Sequence, residues 1–174
     1  MSTIYEDTRQ HVRGIDKHRM KHDWWAAHGI RVERRALETG DYMADGSNVT
    51  VDTKASMDEL SGNLGRQHNR FGRECERARK KGCRLVVLVE DGTLDAWGWT
   101  NGMCRKCRFR VRYGCHPRFR GEPCVRFGTA KPMQGDTAWK IMRGLSRDYG
   151  VRFEFCKPGE SAERICELLG VPYE

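Results

Sequence analysis

Apolar residues along this chain follow two periods, and the switches between them predict an alternating order of strands and helices. Alternating or unbroken apolar runs predict strands at Thr3–Asp7, Ile30–Leu37, Asp41–Met43, Val49–Lys54, Leu85–Glu90 and Val151–Cys156. A helix is expected over Asp16–His28, burying Met20, Trp24 and Ala27 and ending at Gly29. Ser56-Met57-Asp58-Glu59 reads as a capping box, with Ser at the N-cap and Glu three residues on. The helix it opens has the apolar face Leu60, Leu64, Phe71, Cys75 and Ala78, and Gly62, Gly65 and Gly72 should divide or bend it. Asp136 can cap a helix over Thr137–Tyr149 with Trp139, Ile141, Met142 and Leu145 apolar. Ala162, Ile165, Cys166 and Leu169 repeat at i, i+3, i+4 and i+7 and stop at Gly170 before Pro172. The order is that of an α/β domain with a mixed central sheet flanked by helices.

Length adds that one domain is present, since 174 residues make one good core and are few for two. The longest uninterrupted aliphatic run is Leu85–Val89, and no basic-then-apolar leader follows Met1. Neither a signal peptide nor a membrane span is expected, and the protein is read as intracellular, cytoplasmic or nucleoid-associated. In a reducing compartment the eight cysteines suggest metal ligation and buried thiols, with Cys75, Cys83, Cys156 and Cys166 at core-like positions.

Charge changes the picture further, because it is concentrated. Residues 101–133 contain Arg105, Lys106, Arg108, Arg110, Arg112, Arg118, Arg120, Arg126 and Lys131 against the single acid Glu122, which accounts for the chain's whole formal net charge of +8. The same segment holds Cys104, Cys107, Cys115 and Cys124, a pattern for four-thiolate Zn²⁺, with His116 an alternative to Cys115. With so few aliphatic residues the segment needs a metal staple. Phe109, Tyr113, Phe119 and Phe127 lie among its arginines, an interleaving suited to phosphates and exposed bases. The blander alternative is a structural knuckle whose charges keep it soluble and offset the negative zinc–thiolate cluster.

The densest candidate chemistry is Gly40-Asp41, then Asp52-Thr53-Lys54 and Asp58. Side chains alternate on a strand, so Asp52 and Lys54 share a face. Two carboxylates and an amine on one surface can hold a hard cation such as Mg²⁺ and orient a water beside a phosphate. The alternative for such a short motif is an edge strand with a salt bridge. Asp58, in a first helical turn, also has the ordinary role of complementing the helix dipole.

These residues together resemble the nuclease domain of XPF-type structure-specific endonucleases, a branch of the PD-(D/E)xK superfamily. That pattern is G-D, a gap, E-R-K, three residues and D. Here it reads Gly40-Asp41, Asp52-Thr53-Lys54 and Asp58. Asp7-Thr8-Arg9-Gln10 matches the opening D-x-R-E, Leu85–Glu90 the buried strand, and Arg152–Cys156 with Ser161–Cys166 the last strand and helix. The resemblance implies a restriction-endonuclease-like fold with a zinc-binding insertion at 101–133. It also implies Mg²⁺- or Mn²⁺-dependent endonucleolytic hydrolysis of branched DNA, such as a fork or flap. On that reading Asp41 and Asp52 ligate the metal and Lys54 orients or activates water. Asp7, Asp58 or Arg9 support the site or the phosphate, Arg66, Gln67 and Arg70 face the DNA backbone beside the arginines of the insertion, and the domain forms a homodimer.

Three positions depart from the family: Gln10 and Asp52 stand where glutamate is usual, and Thr53 replaces an arginine that would grip phosphate bidentately. No tandem helix-hairpin-helix module follows within the sequence, so substrate selection is expected to come from elsewhere. Other readings remain: a catalytically silent DNA-binding or scaffold protein on the nuclease fold, another PD-(D/E)xK enzyme such as a Holliday-junction resolvase, and a zinc-dependent RNA-binding module.

Overall fold

The aliphatic run Leu85–Val89 is buried on both faces, the pattern of a strand covered by helices on each side. In the computed structural model, which describes residues 2–9, 16–90, 133 and 135–174, that run lies in β5 (Arg84–Val89). The other strands are β1 (Thr3–Asp7), β2 (Arg31–Arg35), β3 (Tyr42–Ala44), β4 (Val49–Lys54) and β6 (Arg152–Phe155). They form one sheet in the order β2-β1-β3-β4-β5-β6. Pairing is parallel for β1–β2, β4–β5 and β5–β6 and antiparallel on both sides of β3. The beginning of β3 therefore lies at the same sheet edge as the ends of β1 and β4.

The helices are α1 (Asp16–Ala27), α2 (Met57–Leu64), α3 (His68–Lys80), α4 (Gly135–Tyr149) and α5 (Ser161–Leu169). On one face, Leu60, Leu64, Phe71, Cys75, Ala78, Met142 and Leu145 pack on Leu85, Val87 and Val89. On the other, Trp25, Ala162, Ile165, Cys166 and Leu169 pack on Ile4, Tyr42, Val51 and Leu88. The mixed, helix-flanked sheet is the architecture expected from the order of elements. Ser56 caps α2 by accepting from the Glu59 amide at 3.2 Å, and Glu59 returns a bond to the Ala55 amide at 2.8 Å. The glycine-rich stretch divides the long helix after Leu64, where Met133 packs against Gly65. Cys75 and Cys166 are buried, Cys83 and Cys156 partly so, and all four are free thiols.

Two expected faces are corrected. In α1, Met20 is 48% exposed and Ala27 is exposed, while His18, Lys21 and Trp25 turn inward. The inward stripe is partly ionic: Lys21 pairs with Glu90 and His18 faces Glu6, so buried partners on β1 and just past β5 outweigh side-chain hydropathy. In α4, Ala138, Met142 and Leu145 fill the contact and Trp139 is 40% exposed. The zinc-ligand candidates Cys104, Cys107, Cys115 and Cys124, the arginines and lysine of 105–120, and the whole expected knuckle lie outside the described residues. No helix among the described residues is long and apolar enough to cross a membrane.

Candidate functional site

The ends of β1 and β4 and the start of β3 bring Asp7, Asp41, Asp52 and Lys54 to one edge of the sheet. Backbone bonds lock that edge. The Asp7 amide donates to the Asp41 carbonyl at 2.8 Å, the Asp41 amide to the Val51 carbonyl at 2.7 Å, and the Glu90 amide to the Lys54 carbonyl at 2.8 Å. Gly40 makes the entry to β3 possible. Its φ is +69°, and a Cβ there would lie 2.2 Å from Thr50 Oγ1 and 3.0 Å from the Val51 carbonyl oxygen. The turn thus presses directly on β4 and delivers Asp41 to it.

Asp41 is held by the residue between the two motif positions of β4. Both the amide and the hydroxyl of Thr53 donate to its Oδ2, at 2.7 Å each, so Oδ1 carries neither bond. Where the family pattern has arginine, this chain has a short hydroxyl that orients a carboxylate.

Asp52 and Lys54 face the α2–α3 side of the sheet and are buried, at 4% and 9% exposure. Lys54 Nζ lies 2.9 Å from Asp52 Oδ1 and 2.7 Å from Oδ2. Burial disfavours the Asp52 anion and Lys54 stabilises it, while Asp41 and Glu74 disfavour it further. The carboxyl ends up raised above the usual carboxylate range. For Lys54 burial acts to lower the pKa, and the charge and hydrogen bond of Asp52 overcome it, leaving the ammonium above its ordinary value.

The donor set fits a hard divalent cation. Asp52 Oδ2 is buried with no hydrogen bond, in spite of its closeness to Lys54. A buried carboxylate with the Lys54 ammonium beside it and a second, oriented carboxylate at the same edge is a place where a cation removes a desolvation cost. Mg²⁺ needs only one or two carboxylates and keeps several waters.

Asp7 is occupied differently. Its Oδ2 accepts from Arg9 Nε at 2.6 Å, and its Oδ1 accepts from the Arg9 amide at 3.2 Å and the Leu37 amide at 3.4 Å. Burial would raise its pKa, yet these bonds and the Arg9 charge hold it below the usual carboxylate range. Asp7 therefore anchors Arg9, whose guanidinium also donates to the Leu37 carbonyl at 2.6 Å while its side chain stays 68% exposed. Arg66, Gln67 and Arg70 are exposed at the junction of α2 and α3, with Gln67 accepting from Asn63 at 2.9 Å. Asp58 falls in the first turn of α2, and its side chain lies outside the described residues.

One carboxylate at this edge escapes the sequence reading. Glu74 on α3 accepts from the Gly40 amide at 3.3 Å, and its charge acts on both Asp52 and Arg9. Its only signal in the sequence is an acid beside Cys75, a member of the buried stripe, in a mostly basic helix that also carries Glu76.

Comparison with protein families matches the ERCC4 domain over residues 7–168, nearly the whole chain. The chain belongs to the ERCC4 domain family. Among solved structures, this ERCC4 domain is similar to XPF from Aeropyrum pernix in complex with DNA, at 18% identity and a TM-score of 0.58 over 98% of the chain. It is also similar to a second structure of XPF from Aeropyrum pernix, at 20% identity and a TM-score of 0.57 over 97% of the chain. At these identities the likeness is one of fold. The domain spans 64% and 60% of those two chains. No curated protein matches the sequence.

Proposed function

We propose that this ERCC4 domain is a divalent-metal-dependent DNA endonuclease acting on branched DNA such as forks or flaps. The observation that supports it most directly is the union of Asp41, oriented by Thr53, with the buried Asp52–Lys54 pair at one sheet edge. Asp41 and Asp52 would hold Mg²⁺ or Mn²⁺. When bound, the cation supplies Lewis-acid polarisation of the scissile phosphate and offsets the charge that develops there. Lys54 orients the attacking water and meets the growing negative charge on the phosphate. Arg9, braced by Asp7, contacts the phosphate backbone, and Arg66, Gln67 and Arg70 extend that contact along the α2–α3 junction. Glu74 adds negative potential behind Gly40 and so favours a cation at the site.

The cysteines at 104, 107, 115 and 124 are proposed to hold structural Zn²⁺ and to carry the basic segment onto DNA. A homodimer is proposed by analogy with XPF-type nucleases.

Cleavage of end-labelled fork, flap, four-way junction and linear duplex tests the reading, with wild type compared with Asp52→Asn and with a chelator control. Cutting of branched substrates that needs both metal and Asp52 is the expected result. Loss should be at least about 10³-fold, the equivalent of some 4 kcal/mol of transition-state stabilisation, with binding retained. Binding of forks without cutting in either Mg²⁺ or Mn²⁺ would make the domain a DNA-binding scaffold. A preference for four-way junctions would make it a resolvase.

A further inference from the structure

On the face of the sheet opposite Asp52, β1 and α1 bring together Glu6, His18 and His22, one ligand atom from each lying within 4.8 Å of the others. Glu6 is fully buried and His18 is 8% exposed. His18 and His22 are one helical turn apart and so project from the same side of α1. Glu6 Oε1 lies 3.2 Å from His22 Nε2 and 3.5 Å from His18 Nδ1.

Those separations match metal coordination. For ligand bonds of about 2.0–2.1 Å, the edge of a tetrahedron around Zn²⁺ is roughly 3.3 Å. Two buried atoms of the cluster, Glu6 Oε2 and His18 Nδ1, have no well-formed hydrogen bond among the described residues, only the approaches of Arg34 at 3.4 Å and of Glu6 Oε1 at 3.5 Å. Native proteins seldom leave such groups unpaired without an ion, water or functional reason.

The surroundings also suit a bound ion. The Tyr42 hydroxyl donates to Glu6 Oε1 at 3.3 Å and orients the carboxylate from behind. Arg34 Nε lies 3.4 Å from Glu6 Oε2, its side chain is 41% exposed, and its guanidinium also donates to the Thr8 carbonyl at 3.1 Å. Lys21 is engaged with Glu90. His22 is 36% exposed at its side chain, which leaves a route in from solvent.

We propose that Glu6, His18 and His22 form a second metal site, taking Zn²⁺ or a similar imidazole-preferring transition ion and clasping α1 to β1. Two imidazoles and one carboxylate select such an ion over Mg²⁺, which prefers an all-oxygen shell. Its role is structural, since it lies across the sheet from Asp41 and Asp52 and is independent of the nuclease reading. Metal saturation should raise the melting temperature by about 5–10 °C at a hundredfold excess over Kd.

The test uses the full chain carrying Asp52→Asn, so that the nuclease site does not contribute. Metal is removed with a chelator and Co²⁺ is then titrated, the sulfur-to-cobalt charge-transfer band counting the equivalents taken by cysteines. One further equivalent is expected, with visible d–d absorption and no sulfur-to-cobalt charge transfer. Adding His22→Asn or His18→Asn should weaken that uptake more than about 100-fold. No further equivalent, or equal uptake by the histidine variants, overturns the proposal. A measurement that needs no histidine variant is the imidazole NMR spectrum during Zn²⁺ addition. Movement of the His18 and His22 ring signals supports the site, and unmoved signals reject it.

Discussion

Thr53 donates both its amide and its hydroxyl to the same oxygen of Asp41, at 2.7 Å each. The residue between two motif positions of one strand thereby sets the rotamer of an acid on the next. Thr53→Val keeps the shape of the side chain and removes only the hydroxyl. Cleavage should fall roughly tenfold while stability changes by about 1 kcal/mol or less, the net worth of one hydrogen bond. Steady-state kinetics beside urea unfolding measures the two effects. Unchanged cleavage would mean that the Thr53 amide alone orients Asp41.

Gly40 and Gly46 both have positive φ, at +69° and +73°, but a Cβ would meet nothing within 4 Å at Gly46. Gly46→Ala should therefore cost only the left-handed backbone penalty, about 1–2 kcal/mol. Gly40→Ala adds a collision with Thr50 Oγ1 and the Val51 carbonyl and should cost more than Gly46→Ala by at least about 1 kcal/mol. It should also lose cleavage, because Asp41 is the next residue. Urea denaturation of the two variants makes the comparison, and equal destabilisation would contradict the close approach.

Arg9 is held at the end of β1 by Asp7 and the Leu37 carbonyl, with most of its side chain in solvent. If it meets a phosphate, Arg9→Gln should weaken DNA binding similarly for all sequences and reduce the slope of log K against log salt by about one. Binding isotherms at several salt concentrations supply that slope. An unaltered slope would confine Arg9 to bracing Asp7 and the 37–41 loop.

Glu154 accepts from Arg164 at 2.9 Å and from Arg152, near the end of the last strand. Burial would raise its pKa, and the two arginines overcome this and lower it. A depressed carboxyl pKa contributes stability above the unfolded-state value, and that contribution disappears as pH falls through the folded-state value. Glu154→Gln should then be destabilising by about 0.5–1 kcal/mol at pH 7, a surface-discounted figure. The gap to wild type should shrink below about pH 4.5, which urea melts at pH 7 and pH 3 would show.

The sequence was most legible where local chemistry and tertiary packing agree. Leu60, Leu64, Phe71, Cys75 and Ala78 are apolar at helical spacing and are all buried. The meeting of Asp41, Asp52 and Lys54 at one sheet edge was also readable, because strand alternation and the Gly40 turn are properties of short segments. The inward face of α1 was not. His18 and Lys21 are buried through Glu6 and Glu90, partners remote in sequence, while the apolar Met20 is left in solvent. Glu74 was missed for a similar reason. Its bond to the Gly40 amide spans two elements whose proximity follows only from how α3 lies on the sheet.

The chain between β5 and α4 leaves the sheet at Glu90, whose amide is bonded to Lys54, and is found again at Met133, packed on Gly65 beside Arg66. Glu90 lies at the site edge and Gly65 at the far end of α2. The sequence between β5 and α4 therefore joins a point bonded to Lys54 with the α2–α3 junction. A DNA strand captured by that basic sequence would be kept at raised effective concentration near Lys54 by connectivity alone. Lengthening the sequence would dilute that advantage without altering one residue of the site.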